Sequence, residues 1–316
     1  MKDKETAPQS LMEAVIFFSD LDVCHAYMAS LKWPDGKVTC PMCGGTEIGN
    51  IASRRMYQCK AKACRKQFSV KVNTIFEDSP LPLSKWFVAV WSITNAKNGI
   101  SSCELARALN VTQKSAWHML HRIRHAMQTG TFQKFSGEVE SDETFVGGKA
   151  ENMHASRRKA KIRGRGFKDK AIVHGLIQRA QGESISQVRA AVIPNTQRKT
   201  IGPILAAHIE PGSKLYTDTA GAYSKIKTPF VHQMVDHELA YVDGACHTNS
   251  LENFWSLFKR TVKGTYISMD EPHLNRYIGE MAFRFNQRDG TDAYRFKAVM
   301  PGMVGKRLKY DDLTGK

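Results

Sequence analysis

His247-Thr-Asn-Ser-Leu-Glu-Asn-Phe-Trp-Ser-Leu-Phe-Lys259 has the periodicity of an amphipathic helix. Leu251, Phe254, Trp255, Phe258 and, just beyond it, Val262 recur at i, i+3, i+4, i+7 and i+11, which makes one apolar face. Glu252 and Lys259 stand seven residues apart, nearly two whole turns, and so project on one side flanking that face. A carboxylate and a lysine aligned in this way can meet a metal and a phosphate. The same residues also read as ordinary helix furniture. Asn249 then caps the N-terminus, Glu252 is the N3 acid of a capping arrangement, and Lys259 is a solvated charge. The rest of the chain bears on that choice.

Outward from this helix, acids recur at element ends. Residues 138–146, Glu-Val-Glu-Ser-Asp-Glu-Thr-Phe-Val, alternate as a strand and stop at Gly147-Gly148. Charge is depleted from strands, so the acids at 138, 140, 142 and 143 are unusual and point to a metal site. Strand-like runs follow at 171–178 and 186–193, then a helix from about 196 to 208. A short strand at 214–218 ends in Asp218, which could equally be a helix cap. One more strand, 230–235, precedes the quoted helix, and a long amphipathic helix covers 273–288. In a β-β-β-α-β-α run of this kind the first and fourth strands can lie side by side. The helix then brings its acid across their ends. Asp142, Asp218 and Glu252 would converge on oxygen-ligated cations, the arrangement of two-metal phosphoryl transfer.

Toward the N-terminus, Cys40-Pro-Met-Cys43 is followed after fifteen residues by Cys59 and Cys64. Two cysteine pairs at this separation suit tetrahedral Zn²⁺ held between two knuckles, with short strands at 56–58 and 67–70. Lys60, Lys62, Arg65 and Lys66 surround the second pair, which speaks against four thiols in an apolar core. Residues 11–32 read as a helical lead-in packed through Leu11, Val15 and Phe18. An apolar helix at 86–96 is followed by one opening at Ser101, with Glu104 at capping-box spacing. The turn Asn110-Val111-Thr112 then leads to a basic helix at 113–127. Helix, three-residue turn and basic helix is the helix-turn-helix pattern. Its candidate DNA contacts are Lys114, Arg122 and Arg124.

The 316 residues carry a formal charge of +16 and a pI near 9.6, which points to a polyanionic partner, most simply double-stranded DNA. Residues 149–170 concentrate nine Lys or Arg against two acids: Lys149, Arg157, Arg158, Lys159, Lys161, Arg163, Arg165, Lys168 and Lys170. Gly164 and Gly166 fit a loop that clamps a DNA backbone. No apolar run approaches the roughly 20 residues of a membrane span, and the first ten residues lack a signal-peptide core. The cysteine pattern suits a reduced cytoplasm. The expected division is a helical lead-in at 1–35, a zinc ribbon at 36–75 and a helix-turn-helix at 76–130. An α/β catalytic domain at 136–290 and a basic C-terminal tail at 291–316 complete it.

With these motifs in place the chain resembles the bacterial insertion-sequence transposases of the zinc-ribbon DDE type, relatives of the Merlin elements. The residues that carry the likeness are Cys40-Pro-Met-Cys43, Cys64-Arg-Lys-Gln-Phe68, Leu105-Ala-Arg107, and the block from Ala116 to Arg124. Asp142-Glu-Thr-Phe-Val-Gly-Gly-Lys149, Tyr216-Thr-Asp218, the block from His247 to Arg260, Arg284-Phe-Asn286 and Arg288 complete them. The resemblance implies an RNase H-like core with a mixed five-stranded sheet and a cut-and-join reaction at terminal inverted repeats. It implies Mg²⁺ or Mn²⁺ held by Asp142, Asp218 and Glu252, with Asn249 as the alternative third ligand. Lys259 and Arg260 would lie on phosphate, and a homodimer or larger assembly would synapse two ends. An inactive DNA-binding regulator on the same fold, and an RNase H-type nuclease without strand transfer, are the other readings.

Overall fold

The computed structural model describes residues 7–128, 133–147, 170–218, 223, 229–235, 247–267 and 269–315. The chain divides into two compact units, Met1–Thr129 with Gly290–Lys316, and Gly130–Asp289.

The first unit begins with α1 (Leu11–Ser19) and α2 (Leu21–Lys32), capped by the side chains of Ser10 and Asp20. The buried positions of α1 are Ala14 and Phe18, whereas Leu11 and Val15 stay 50% and 43% exposed. The expected stripe was therefore offset, because Ala14, one turn before Phe18, lines the packed side. A three-stranded antiparallel sheet follows, β1 (Ile48–Ile51), β2 (Met56–Cys59) and β3 (Gln67–Phe68). Next come α3 (Leu83–Asn95), α4 (Ser102–Leu109) and α5 (Gln113–Met127). Ser101 accepts the Glu104 amide, Asn110 closes α4 in the left-handed region, and Thr112 caps α5.

The second unit is built on a five-stranded sheet: β4 (Glu138–Val146), β5 (Ala171–Gln178), β6 (Gln187–Ile193), β7 (Lys214–Asp218) and β8 (Val231–Val235). Their order is β6-β5-β4-β7-β8. The first three pair antiparallel, and β4–β7 and β7–β8 pair parallel. The first and fourth strands of this unit are thus neighbours, as the element order required. Strand alternation sends Val139, Leu176 and Leu215 to one face, where they pack with Ile201 and Leu205 of α6 (Arg198–His208). Val173 and Ile177 face the other way. They meet Leu251, Phe254, Trp255 and Phe258 of α7 (Asn249–Thr261) and Leu274, Ile278 and Met281 of α8 (Leu274–Asn286). Asn275 and Asn286 on α8 bond the backbone of Val192 and Val188, satisfying groups on the edge strand β6. A buried Arg284–Glu280 pair, joined by the Tyr266 hydroxyl, ties α8 to the π-helical turn Val262–Tyr266 after α7.

The chain then returns to the first unit. The segment expected as a basic tail instead folds, as α9 (Asp292–Val299) and α10 (Tyr310–Thr314). Phe296 stacks with Phe18, Phe87 and Trp91 at 5.1, 6.1 and 5.4 Å, and Val299, Met300 and Met303 are buried. Its cations mislead because they are engaged locally. Lys306 Nζ donates to the carbonyls of His125, Ala126 and Gln128 beyond the last turn of α5, and Arg307 pairs with Asp78. Phe296→Ala should therefore destabilise the first unit by about 3–5 kcal/mol, read from denaturant unfolding. An unchanged midpoint would mean that α9 is dispensable.

Candidate functional site

The metal-ligating group of the first unit is assembled by two tight knuckles. Gly44 N donates to Cys40 O at 2.8 Å and Arg65 N to Ala61 O at 3.1 Å. Gly44 and Arg65, each directly after a cysteine, both have positive φ, at 73° and 53°. The two turns are equivalent although only one has glycine. Sulfur separations are 3.8 Å for Cys40–Cys64 and 3.6 Å for Cys43–Cys59, and all four sulfurs lie within 4.8 Å of one another. A tetrahedron of thiolates about 2.3 Å from Zn²⁺ has edges of about 3.8 Å, so the group fits structural zinc. Burial opposes ionisation of Cys40, but the amides of Met42 and Cys43 outweigh it and lower the thiol to about 7.

In the second unit the acids are held by sheet and helix together. Continuing the parallel β4–β7 register brings Asp142 level with Asp218 at the end of β7. Glu252, in the first turn of α7, acts on Asp142 from across the sheet face. Burial, then the charges of Asp218 and Glu252, push Asp142 up to about 6. The Glu143 amide and the Trp255 indole pull the other way. Burial, then Asp142 and Asp218, push Glu143 up to about 7 against the Tyr223 hydroxyl. Tyr223 in turn meets Ser141 Oγ at 2.9 Å, which meets His174 Nε2 at 2.9 Å, and burial holds that imidazole down at about 4. Among the described residues the three acids do not close to the spacing of the four cysteines. They influence one another without forming so tight a cluster. Lys259 and Arg260 are exposed near the far end of α7.

The helix is docked by groups that its own sequence does not show. Thr248 holds the N-cap position without a capping bond from its side chain, and Asn249 is already the first helical residue. The capping acceptor comes from β4. Glu140 Oε2 accepts the Leu251 amide at 3.0 Å, and its Oε1 accepts from Arg179 Nε at 2.7 Å. Arg179 Nη2 donates to the His247 carbonyl at 2.8 Å and lies 2.9 Å from His247 Nδ1. Of the strand acids expected at a metal, Glu138 and Glu140 are thus engaged by Arg179. Thr248 Oγ1 donates to Glu252 Oε1 at 3.3 Å, while Asn249 Oδ1 is buried with no hydrogen-bond partner. An unpaired amide oxygen one turn from Glu252 fits an oxygen-seeking divalent cation.

Two of the expected DNA contacts turn inward. Arg122 is 5% exposed and donates to the carbonyls of Leu308, Ile75 and Glu77, and Arg124 is 1% exposed. A basic residue in a helix reads as solvated until its distant carbonyl partners are known. Lys114 is exposed at the start of α5, its ammonium 4.6 Å from the Tyr310 ring. Lys149, Arg157, Arg158, Lys159, Lys161, Arg163, Arg165 and Lys168 lie outside the described residues.

Two outcomes follow from these sites. The full chain should carry one zinc, measured by elemental analysis, and Cys59→Ser should lose it; a zinc-free wild type with intact fold would refute this. The raised carboxyls also have a sign. Between the ordinary carboxylate range and about 7 the folded state binds more protons than the unfolded state. The contribution of Asp142 and Glu143 to stability without divalent cation should therefore fall as pH rises from about 5 to 7.5, against a rise up to about pH 6.5 from His174, which is held neutral in the folded state. Asp142→Asn should reduce that fall and raise stability at pH 7.5, read from denaturant midpoints.

Comparisons with known proteins bear on both units. Residues 134–286 match the ISXO2-like transposase domain and residues 20–67 the transposase zinc-ribbon domain. A protein of transposable element ISH50 from Halobacterium salinarum is 29% identical over 244 residues, 74% of this chain and 80% of that protein. A transposase-like protein of Haemophilus influenzae is 29% identical over 104 residues, 33% of this chain and 84% of that protein. A match to the transposase zinc-ribbon domain is thus followed along this chain by a match to the ISXO2-like transposase domain.

Proposed function

We propose that this chain is a DDE transposase that binds the terminal inverted repeats of its own element, cleaves there and joins the ends to target DNA. The observation that carries the reading is the parallel pairing of β4 and β7 from Glu138 to Glu140, whose continuation would bring Asp142 level with Asp218, while α7 reaches Asp142 through the Trp255 indole. That arrangement supports an RNase H-like core. Asp142 and Asp218 would hold Mg²⁺ or Mn²⁺, with Glu252 as third ligand. The unpaired Asn249 oxygen gives the amide a claim to that position too. Cations held by these residues would supply the charge that activates an attacking oxygen and stabilises a departing one.

The protein's own groups do the rest. Lys259, two turns beyond Glu252, grips a phosphate beside the scissile bond, and Arg260 adds backbone charge. The α4–α5 pair acts as a helix-turn-helix through the exposed start of α5, where Gln113 and Lys114 stand, since Arg122 and Arg124 face inward. Zinc braces the ribbon beside it in sequence, and the segment 149–170 clamps DNA backbone. Pairing two ends calls for a dimer or larger assembly. Among the described residues no single helix is long and apolar enough to cross a membrane. A cytoplasmic enzyme on nucleoid DNA fits the function.

The test is strand joining. Purified full chain is mixed with labelled DNA carrying the repeats that flank its gene, a supercoiled target, and Mg²⁺ or Mn²⁺. Joined products should appear with wild type and fall at least about 10³-fold in Asp218→Asn. Loss in Glu252→Gln assigns the third ligand to Glu252. Its retention there with loss in Asn249→Ala assigns it to Asn249. Binding of the ends without cutting or joining in either metal would sink the enzymatic reading.

A further inference from the structure

Trp255 is the largest side chain on α7, and it is buried to within 4%. Its indole Nε1 donates to Asp142 Oδ2 at 3.0 Å. The ring lies flat enough on β5 that a Cβ at Gly175 would sit 2.6 Å from Cζ2 and 2.8 Å from Cη2. Gly175 is also the cross-strand partner of Asp142. The glycine therefore leaves room on the sheet face for the indole that reaches this carboxylate. Two separate features, a hydrogen bond and a missing side chain, converge on one geometry. On α7, Glu252, Trp255 and Lys259 stand at i, i+3 and i+7, so Trp255 sits in the strip between the other two.

We propose that Trp255, seated on Gly175, is a positioning residue that fixes the rotation of the Asp142 carboxylate and registers it against Glu252 and Lys259. This rests on the transposase reading above. An indole N–H on one oxygen holds an aspartate as a ligand in the way that outer-shell partners hold metal ligands generally. It also couples helix to strand. Any shift of α7 that moved Glu252 would pull the donor from Asp142, so the acids move as a set or not at all. A packing role alone would need the ring but not its N–H.

The experiment uses the zinc-loaded full chain. The sequence has five tryptophans, so ¹⁵N-labelled protein shows five indole N–H signals, and Trp255→Phe identifies the one at issue. On adding Mg²⁺ that signal should shift in wild type. In Asp142→Asn it should start displaced and no longer respond. Mn²⁺ binding, followed by the free-ion paramagnetic signal, should weaken about tenfold in Trp255→Phe and in Gly175→Ala. Their joining deficit should narrow as Mn²⁺ is raised. Wild-type Mn²⁺ affinity in Trp255→Phe, with binding lost in Asp142→Asn, would overturn the positioning role and leave the metal site standing. So would an indole signal indifferent to Mg²⁺. Wild-type affinity in Asp142→Asn would instead overturn the assignment of Asp142 as a ligand, and the inference with it. If Trp255→Phe does not fold, the wild-type signal and Gly175→Ala still decide the matter.

Discussion

Everything at the acidic site depends on the buried carboxylate of Glu140. A fully buried charge is tolerated only with partners, and Glu140 has two kinds, the Arg179 guanidinium and the Leu251 amide at the start of α7. The second contact sets where α7 begins along β4. From there the repeat lengths nearly match. Two strand residues, Glu140 to Asp142, advance about 6.6 Å, and four helix residues, Leu251 to Trp255, advance about 6 Å. The contact at Glu140 therefore delivers Trp255 to Asp142 one step along. Arg179 completes the lock by bonding the His247 carbonyl and lying 4.3 Å over the Tyr216 ring, which brings β7 into the same network.

This explains which parts of the site were legible in the sequence. Apolar period marked the buried face of α7, and alternation with a Gly-Gly stop marked β4, because both signals are local. Neighbouring parallel strands followed from element order. Glu140 misled because an acid in a strand looks the same whether its partner is a cation, a metal or a helix end 111 residues away. Gly175 held a signal that went unread. A glycine inside a buried strand marks a close approach, but what approaches cannot be named until the sheet is built. The C-terminal segment failed for a related reason. Phe296, Val299, Met300 and Met303 are apolar enough, but the ring partners of Phe296 lie in the first hundred residues, and the intervening Lys and Arg hid the pattern.

The acids show a second constraint. Asp142 and Glu143 are held where their charged forms are disfavoured, by burial and by neighbouring acids, Asp218 and Glu252 acting on Asp142, and Asp142 and Asp218 on Glu143. A sequence selected for stability alone would not keep them. The strain is stored by the apolar packing on both sheet faces, with α6 on one side and α7 and α8 on the other. On the proposed reading a divalent cation bound by these acids would relieve it.

The positive charge divides in a comparable way. Three arginines do internal work. Arg122 satisfies three carbonyls, Arg179 joins two acids to a loop carbonyl, and Arg284 meets Glu280 inside the second unit. A planar guanidinium can serve several acceptors at once, which an ammonium cannot do with the same rigidity. Lys114, Lys259 and Lys263 stay outside, where a hydrated point charge suits a phosphate backbone. The formal +16 thus overstates the charge left for a phosphate backbone among the described residues. On the proposed reading the dense run from Lys149 to Lys170 would carry correspondingly more of the attraction, and α5 would supply the sequence choice.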